Sequence, residues 1–300
     1  MTSPEHGAAH AAPAPVVAVL GTGTMGAGMV RSLRRAGIPV RVWNRDGGKA
    51  RALADVGAEA FDSPSAAVAG AEVVITMLSD ADAVIEAMRR AGPAPGTVWL
   101  QTATVGLDGV ERTIALAREL GVELVDCPVQ GTRKPAEDGA LVLLASGCES
   151  ARARLAPVFE ALGRKTLWLG AAGAGSRLKL ACNAWVLMLT AGVAQSIALA
   201  RALGVDPQEF FEVIEGGSLD SPYARHKGGL IMSGEYPVSF ALSGAVKDGR
   251  LIQSALRSAD VPDRLMAAVT ETLEDAVRRV PDAASLDMSA VIEGLAAGPR

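Results

Sequence analysis

Residues 16–20, Val16-Val17-Ala18-Val19-Leu20, form a short apolar run closed by glycine, the pattern of a strand buried on both faces. A glycine-rich turn follows, then a helical pattern through Ala36 that stops at Gly37. Residues 40–43 repeat the strand pattern. The alternation continues with helix over 49–56 and 65–69, strand over 73–76, helix over 82–90, strand over 97–100, helix over 107–120 and strand over 123–126. Residues 141–145 read as strand, 150–162 as helix and 166–169 as strand. Strands alternating with helices of this length predict an α/β fold, a Rossmann-type doubly wound, mainly parallel sheet with helices on both faces.

The pattern changes after a glycine-rich stretch at 170–175. From Leu180 to Ala200 there is no charged residue, and Lys179 and Arg201 bracket the run. As a helix, residues 176–203 would extend roughly 40 Å at about 1.5 Å per residue. Apolar on nearly every side, it predicts burial on nearly every side. It reads as a long interdomain helix whose surplus apolar length needs cover from a second subunit. The run is long enough to span a membrane. Asn183, Thr190, Gln195 and Ser196 within it, and its reliance on Ala rather than Leu or Ile, favour a core helix and no membrane. Further helices are predicted near 207–214, 223–232, 240–258 and 263–279, with a short one after Pro281. The organisation is then a disordered tail at 1–14, a nucleotide-binding Rossmann domain at 15–173 and an all-helical substrate and dimerisation domain at 174–300.

Composition narrows the function. A length of 300 residues, 49% of them hydrophobic, allows two domains with sizeable cores. A net charge of −4 leaves no basic surface for nucleic acid and no polybasic membrane patch. The first residues have neither the basic flank nor the apolar core of a signal peptide. Cys127, Cys148 and Cys182 are odd in number and widely spaced, with neither a disulfide framework nor metal-ligand spacing, which points to a reducing, cytoplasmic setting. His6 and His10 lie in the tail, leaving His226 alone, so no metal site and no His-based acid is expected. That absence turns attention to lysine.

Two constellations carry chemistry. Gly21-Thr22-Gly23-Thr24-Met25-Gly26 stands between a strand and a helix, where its glycines permit a tight turn, close approach to a pyrophosphate and close helix packing. The helix N-terminus, with Thr24 and Met25, offers unpaired N–H groups to phosphate. An NAD site places an acid at the end of the second strand. Here that place holds Asn44-Arg45, with Lys49 a turn further on, so NADPH is expected over NADH, with NAD possible because Asp46 could reach the sugar. The second constellation is Lys179 with Asn183, one turn apart on one face. A Lys entering an apolar helix loses solvation and gives up its proton more easily; Asn183 can hold the ammonium or a substrate oxygen. A capping Lys at the wet end of a buried helix is the plain alternative.

Gly21-x-Gly23-x-x-Gly26, Asp126-Cys127-Pro128-Val129-Gln130-Gly131, Lys179-x-x-x-Asn183 and Lys247-Asp248 follow one another as in the β-hydroxyacid dehydrogenases, which the chain resembles over residues 16–290. Residues 131–140 look most like the glyoxylate/succinic semialdehyde reductase branch. The resemblance implies an NADPH-dependent oxidoreductase that interconverts a small carboxylate-bearing aldehyde or keto acid with its hydroxy acid. It implies Lys179 as general acid with Asn183 as its helper. Leu78, Thr104 and Lys247 would contact the cofactor, and Phe240 and Asp248 would line the substrate pocket. The surplus apolar length of the long helix adds the expectation of a homodimer or homotetramer. Trp-Asn-Arg at 43–45 resembles the NADP-using members. Gln130 departs from the family's Ser, which with Gly131 and Thr132 would hold the substrate carboxylate, and Gly249 departs from its Leu. An imine reductase of the same fold and a non-catalytic nucleotide-binding scaffold are the competing readings; the relatives of both kinds often lack the lysine that this chain keeps.

Overall fold

The computed structural model describes residues 14–295. The tail expected over 1–14 therefore lies, except for Ala14, outside the described residues. The chain runs β1 (Val17–Leu20), α1 (Thr24–Arg35), β2 (Val40–Trp43), α2 (Gly47–Arg51), β3 (Glu59–Ala60), α3 (Pro64–Val68), β4 (Val73–Thr76), α4 (Ala81–Ala91), β5 (Val98–Gln101) and α5 (Gly106–Leu120). It continues through β6 (Glu123–Asp126), β7 (Val129–Gln130), α6 (Arg133–Asp138), β8 (Leu141–Gly147), α7 (Arg152–Leu162) and β9 (Gly163–Trp168). The helical part comprises α8 (Ala174–Ala202), α9 (Pro207–Ile214), α10 (Pro222–Ser233), α11 (Leu242–Ser258), α12 (Arg264–Arg279) and a 3₁₀ segment, Met288–Leu295.

The strands lie in the order β3-β2-β1-β4-β5-β6, all parallel, so the chain reverses its direction of winding between β1 and β4. Ligands of such sheets sit beyond the carboxyl ends of the strands at that switch point. Every residue of β1, β4 and β5 is buried, as their apolar runs require, with Thr76 and Gln101 closing the last two strands. One core joins the sheet to α1 and α7, another joins its opposite face to α3, α4 and α5, and a third fills the helical part. β6 and β7 pair in one continuous antiparallel register along β8, interrupted at Cys127-Pro128, and β9 runs parallel along the other edge of β8. Proline has no N–H to give the ladder, which accounts for the break.

Four short elements differ from the sequence pattern. β3 and β7 are two-residue strands, too short for any periodicity to register. α6 contains Pro135 and polar residues on most sides, and it forms because Ala136 packs against α1 at Gly28. The helix expected over 49–56 is split into α2 and a 3₁₀ turn, Ala52–Val56, closed by Gly57. α8 differs in a more consequential way. It is not sheathed on every side within one chain: a stripe at Leu180, Asn183, Leu187, Thr190, Ala194 and Ile197 is buried, whereas Trp185 is 64% exposed and Leu199 58%. The single chain has only enough neighbouring elements to cover one face of so long a helix.

Candidate active site

The turn after β1 has three glycines in three different environments. Gly21 has φ +102°, and a Cβ there would drive into the Met77 carbonyl oxygen. At Gly26 a Cβ would strike the Gly21 carbonyl, so α1 can approach β1 only without one. Gly23 has nothing within 4 Å on its Cβ side: the backbone there is open to an incoming group. The first turn of α1, Thr24-Met25-Gly26, carries no acidic residue, which suits a pyrophosphate at its positive end. Asn44 Oδ1 accepts from Thr22 N at 3.1 Å and ties the end of β2 to this turn.

A groove runs from Gly23 past Asn44, Arg45, Lys49 and Leu78. It is bounded further by Trp43, Ser79 and Arg90, the last with its guanidinium 5.8 Å from the Trp43 ring centroid. Asp46 borders the groove too, but its Oδ1 accepts from Gly48 N at 3.0 Å and caps α2. The residues fit a dinucleotide: an open glycine, free helix N–H groups and cationic side chains meet along one track.

Beyond the carboxyl ends of β4 and β5 lies a cavity of about 530 Å³. Met25, Met77, Thr102 and Thr104 line it from the sheet, Gln130, Gly131 and Thr132 from the end of β7, Lys179 and Asn183 from α8, and Phe240 and Asp248 from around α11. The predicted substrate-side residues are thus brought to one place. Lys179 is 8% exposed, and its Nζ donates to Gln130 Oε1 at 3.0 Å. Burial pulls its pKa down to about 8, opposed by the Asp248 carboxylate and the Cys182 thiol and assisted by the neighbouring ammonium of Lys247. Asn183 does not hold the ammonium: its Nδ2 donates to Asp248 Oδ2 at 2.6 Å. Helical spacing put Asn183 on the right face, but α11 brings a carboxylate closer to it. Lys247 Nζ donates to the Thr104 carbonyl at 2.7 Å. It also lies 2.9 Å from Asp248 Oδ1, close enough for charge attraction but without hydrogen-bond alignment.

Two buried networks hold these side chains in place. α8 has no side-chain cap of its own at Gly173. Asp126 supplies one from the sheet, its Oδ2 accepting from Ser176 N at 2.9 Å and its Oδ1 from the Ser176 hydroxyl at 2.7 Å. Burial raises the Asp126 pKa, offset by these bonds. On the other side, Lys227 and Asp287 are both fully buried and 2.6 Å apart. Asp287 Oδ2 also accepts from Ser239 N and Phe240 N, each at 3.0 Å, which fixes the segment that presents Phe240 to the cavity. Burial works against the Asp287 charge, yet the Lys227 ammonium and the backbone donors outweigh it and hold the carboxyl at about 2. Lys227, Asp287, Tyr223, Ser239, Trp185 and Arg164, all part of this network or the cavity wall, carry no motif in the sequence. Tyr223 and Lys227 share one turn of α10, but their partners and the other residues come from separate parts of the chain, so no local spacing signals the set. No cluster of His, Cys, Asp and Glu suited to a metal occurs among the described residues.

Residues 16–170 match the family described as the NAD binding domain of 6-phosphogluconate dehydrogenase. Residues 173–295 match the one described as NAD-binding of NADP-dependent 3-hydroxyisobutyrate dehydrogenase. The chain is 30% identical over 286 residues to glyoxylate/succinic semialdehyde reductase 2, chloroplastic, of Arabidopsis thaliana, covering 94% of this chain and 79% of that one. It is also 30% identical to glyoxylate/succinic semialdehyde reductase 1 of the same plant, over 93% of this chain and 98% of the other. Among solved structures, 3-hydroxyisobutyrate dehydrogenase of Mycobacterium tuberculosis superposes with a TM-score of 0.82 at 29% identity, over 94% of this chain and 99% of that one. With a glycine turn, a cavity at the switch point and matches spanning both halves, the chain belongs to the β-hydroxyacid dehydrogenase family and is an NAD(P)-dependent oxidoreductase.

Proposed function

We propose that the protein is an NADPH-dependent reductase of carboxylate-bearing aldehydes or oxo acids, with Lys179 as its general acid. The observation that carries this reading is the buried Lys179 ammonium on the wall of a cavity next to the cofactor groove, with its proton loosened by burial. A bound nicotinamide supplies the hydride. The chain does the rest. Met25, Met77 and Thr104 bound the space where a ring and a carbonyl would meet, and holding reactants adjacent supplies much of the rate. As the carbonyl oxygen gains charge, Lys179 stabilises it and gives it the proton on Nζ, leaving a neutral amine that solvent reprotonates. Asn183 and Asp248, bonded to each other, set the far wall, and Gln130 steadies the ammonium through Oε1.

NADPH is favoured by the arrangement around β2. Asp46, the acid able to bind a ribose hydroxyl, is engaged in capping α2. Arg45 and Lys49 line the groove and make no ion pair among the described residues, so both remain for a 2′-phosphate. The test is loss of NADPH absorbance at 340 nm with glyoxylate, succinic semialdehyde and a cyclic imine, repeated with NADH. Preferential turnover of the aldehydes with NADPH is the expected result. Arg45→Ala should raise KM for NADPH about ten-fold or more and change that for NADH little. Equal kcat/KM for the two cofactors in the wild type hands the sugar to Asp46, and turnover of the imine alone makes the protein an imine reductase.

A further inference from the structure

The cavity of about 530 Å³ is bordered by Lys179 and, on a different element, by the cationic side chain of Arg164. Gln130, Val142 and Lys165 are register neighbours across β7, β8 and β9. Between Leu141 and Val142 the β8–β9 register slips, because β9 carries one residue more than β8 there. That extra residue is Arg164. A bulge leaves such a residue unpaired and re-aims side chains at it. Arg164 is exposed and stands on the rim between two hollows, lining the cavity of Lys179 and Gln130 and the neighbouring groove of Arg152 and Trp168. Strands lie about 4.8 Å apart, so two spacings separate the Arg164 backbone from that of Gln130 by about 10 Å.

Much of the cavity wall is apolar. Val142 stands midway in the register, and Val129, Pro135, Val186 and Leu189 line the same cavity. Arg164 makes no hydrogen bond or ion pair among the described residues, whereas Arg152 and Arg154, on the adjoining helix, are paired with Glu149 and Glu123. An arginine left unpaired at the rim of a largely apolar cavity is a ready partner for a carboxylate, which its planar fork can grip with two bonds. At the other end, Gln130 Oε1 accepts from Lys179 Nζ and holds the ammonium at the carbonyl end of the cavity.

We infer that the substrate is a semialdehyde with an extended apolar spacer, its carbonyl at Lys179 and its terminal carboxylate on Arg164. The inference rests on the reading of Lys179 as the acid and makes Arg164 the specificity-determining residue. It follows that chain length matters as much as charge. A two-carbon acid can reach Lys179 but not Arg164, and a long neutral aldehyde fills the apolar wall but leaves the guanidinium unpaired.

The experiment measures NADPH-linked reduction of glyoxylate and of succinate, adipate and suberate semialdehydes, with hexanal and octanal as neutral partners of the last two. The wild type should show kcat/KM for adipate or suberate semialdehyde at least about ten-fold above that for glyoxylate. Arg164→Gln should raise KM for the long semialdehydes about ten- to a hundred-fold, leave kcat and the hexanal KM unchanged, and be partly rescued in Arg164→Lys. An unaltered KM in Arg164→Gln, or an equal rise for hexanal, overturns the inference, as does a wild-type preference for glyoxylate. These results differ from failure of the underlying function, which would appear as no NADPH oxidation with any of the aldehydes.

Discussion

At the residue scale the chemistry turns on one proton. Lys179 is buried enough to lower its pKa to about 8, yet it keeps a hydrogen bond to Gln130. Reduction needs the protonated form, so kcat/KM for the carbonyl should be level at neutral pH and fall about ten-fold per unit above about pH 8; oxidation of the product alcohol should show the mirror profile. Lys179→Met should lower kcat by about 10² to 10⁴ while cofactor binding, followed by NADPH fluorescence, persists. More than a tenth of wild-type kcat in that variant would falsify the role of Lys179 as acid. The same burial has a thermodynamic side. Because the folded-state pKa lies below the unfolded one, the unfolded chain binds more protons between about pH 8 and 10.5, and stability rises with pH across that window. Below it the charge is a standing cost, so the Met variant should melt at a higher temperature than the wild type at pH 7, the exchange of stability for activity common at catalytic positions.

At the scale of elements, α8 is the part whose placement everything depends on, and its N-terminus is held from outside. The Asp126 carboxylate receives both the N–H and the hydroxyl of Ser176, and Ser146 Oγ receives Gly175 N at 2.9 Å. A negative group here complements the helix dipole and fills N–H positions that would otherwise be buried without partners. Lys179 follows within one turn. Asp126→Ala should therefore cost about 2–4 kcal/mol in denaturant unfolding, and Asp126→Asn, which keeps an acceptor, should cost less. A cost under about 0.5 kcal/mol for the Ala variant would mean that the sheet does not hold the helix through this bond. The Lys227–Asp287 pair does the comparable task for the segment bearing Ser239 and Phe240, joined there by short bridges between Pro237 and Leu286 and between Ala241 and Asp287.

At the scale of the whole molecule, the open side of α8 is the main unfinished surface. Trp185, Leu199 and Leu203, at 64%, 58% and 71% exposure, recur at helical spacing along one face. Such a row is costly to leave in water. We propose that a second copy covers it, giving a homodimer or homotetramer, and Trp185 then lies where the interface would meet the mouth of the cavity. Light scattering coupled to size exclusion should give at least twice the 30.7 kDa of the chain, and Leu199→Glu should shift the protein toward the monomer. A wild-type protein that stays monomeric at micromolar concentration would overturn this assembly.

The sequence by itself determined the sheet, the glycine turn and the long helix, because each is written in contiguous residues: apolar runs for strands buried on both faces, glycines where the backbone must turn or approach closely, and an uncharged stretch of more than five turns. It also placed Lys179 and Asn183 on one helical face, since that follows from the 3.6-residue period alone. What surrounds them was decided only by the tertiary structure. Gln130 accepts from Lys179 across 49 positions of chain, and Asp248 takes Asn183 across 65. Such pairings depend on how separate elements dock, which no local pattern encodes. The bulge that sets Arg164 on the rim of the cavity likewise exists only in the register between β8 and β9. So does the exposure of one face of α8, because burial depends on how many neighbours the folded chain can supply around a helix, and hydropathy records only what each residue would prefer.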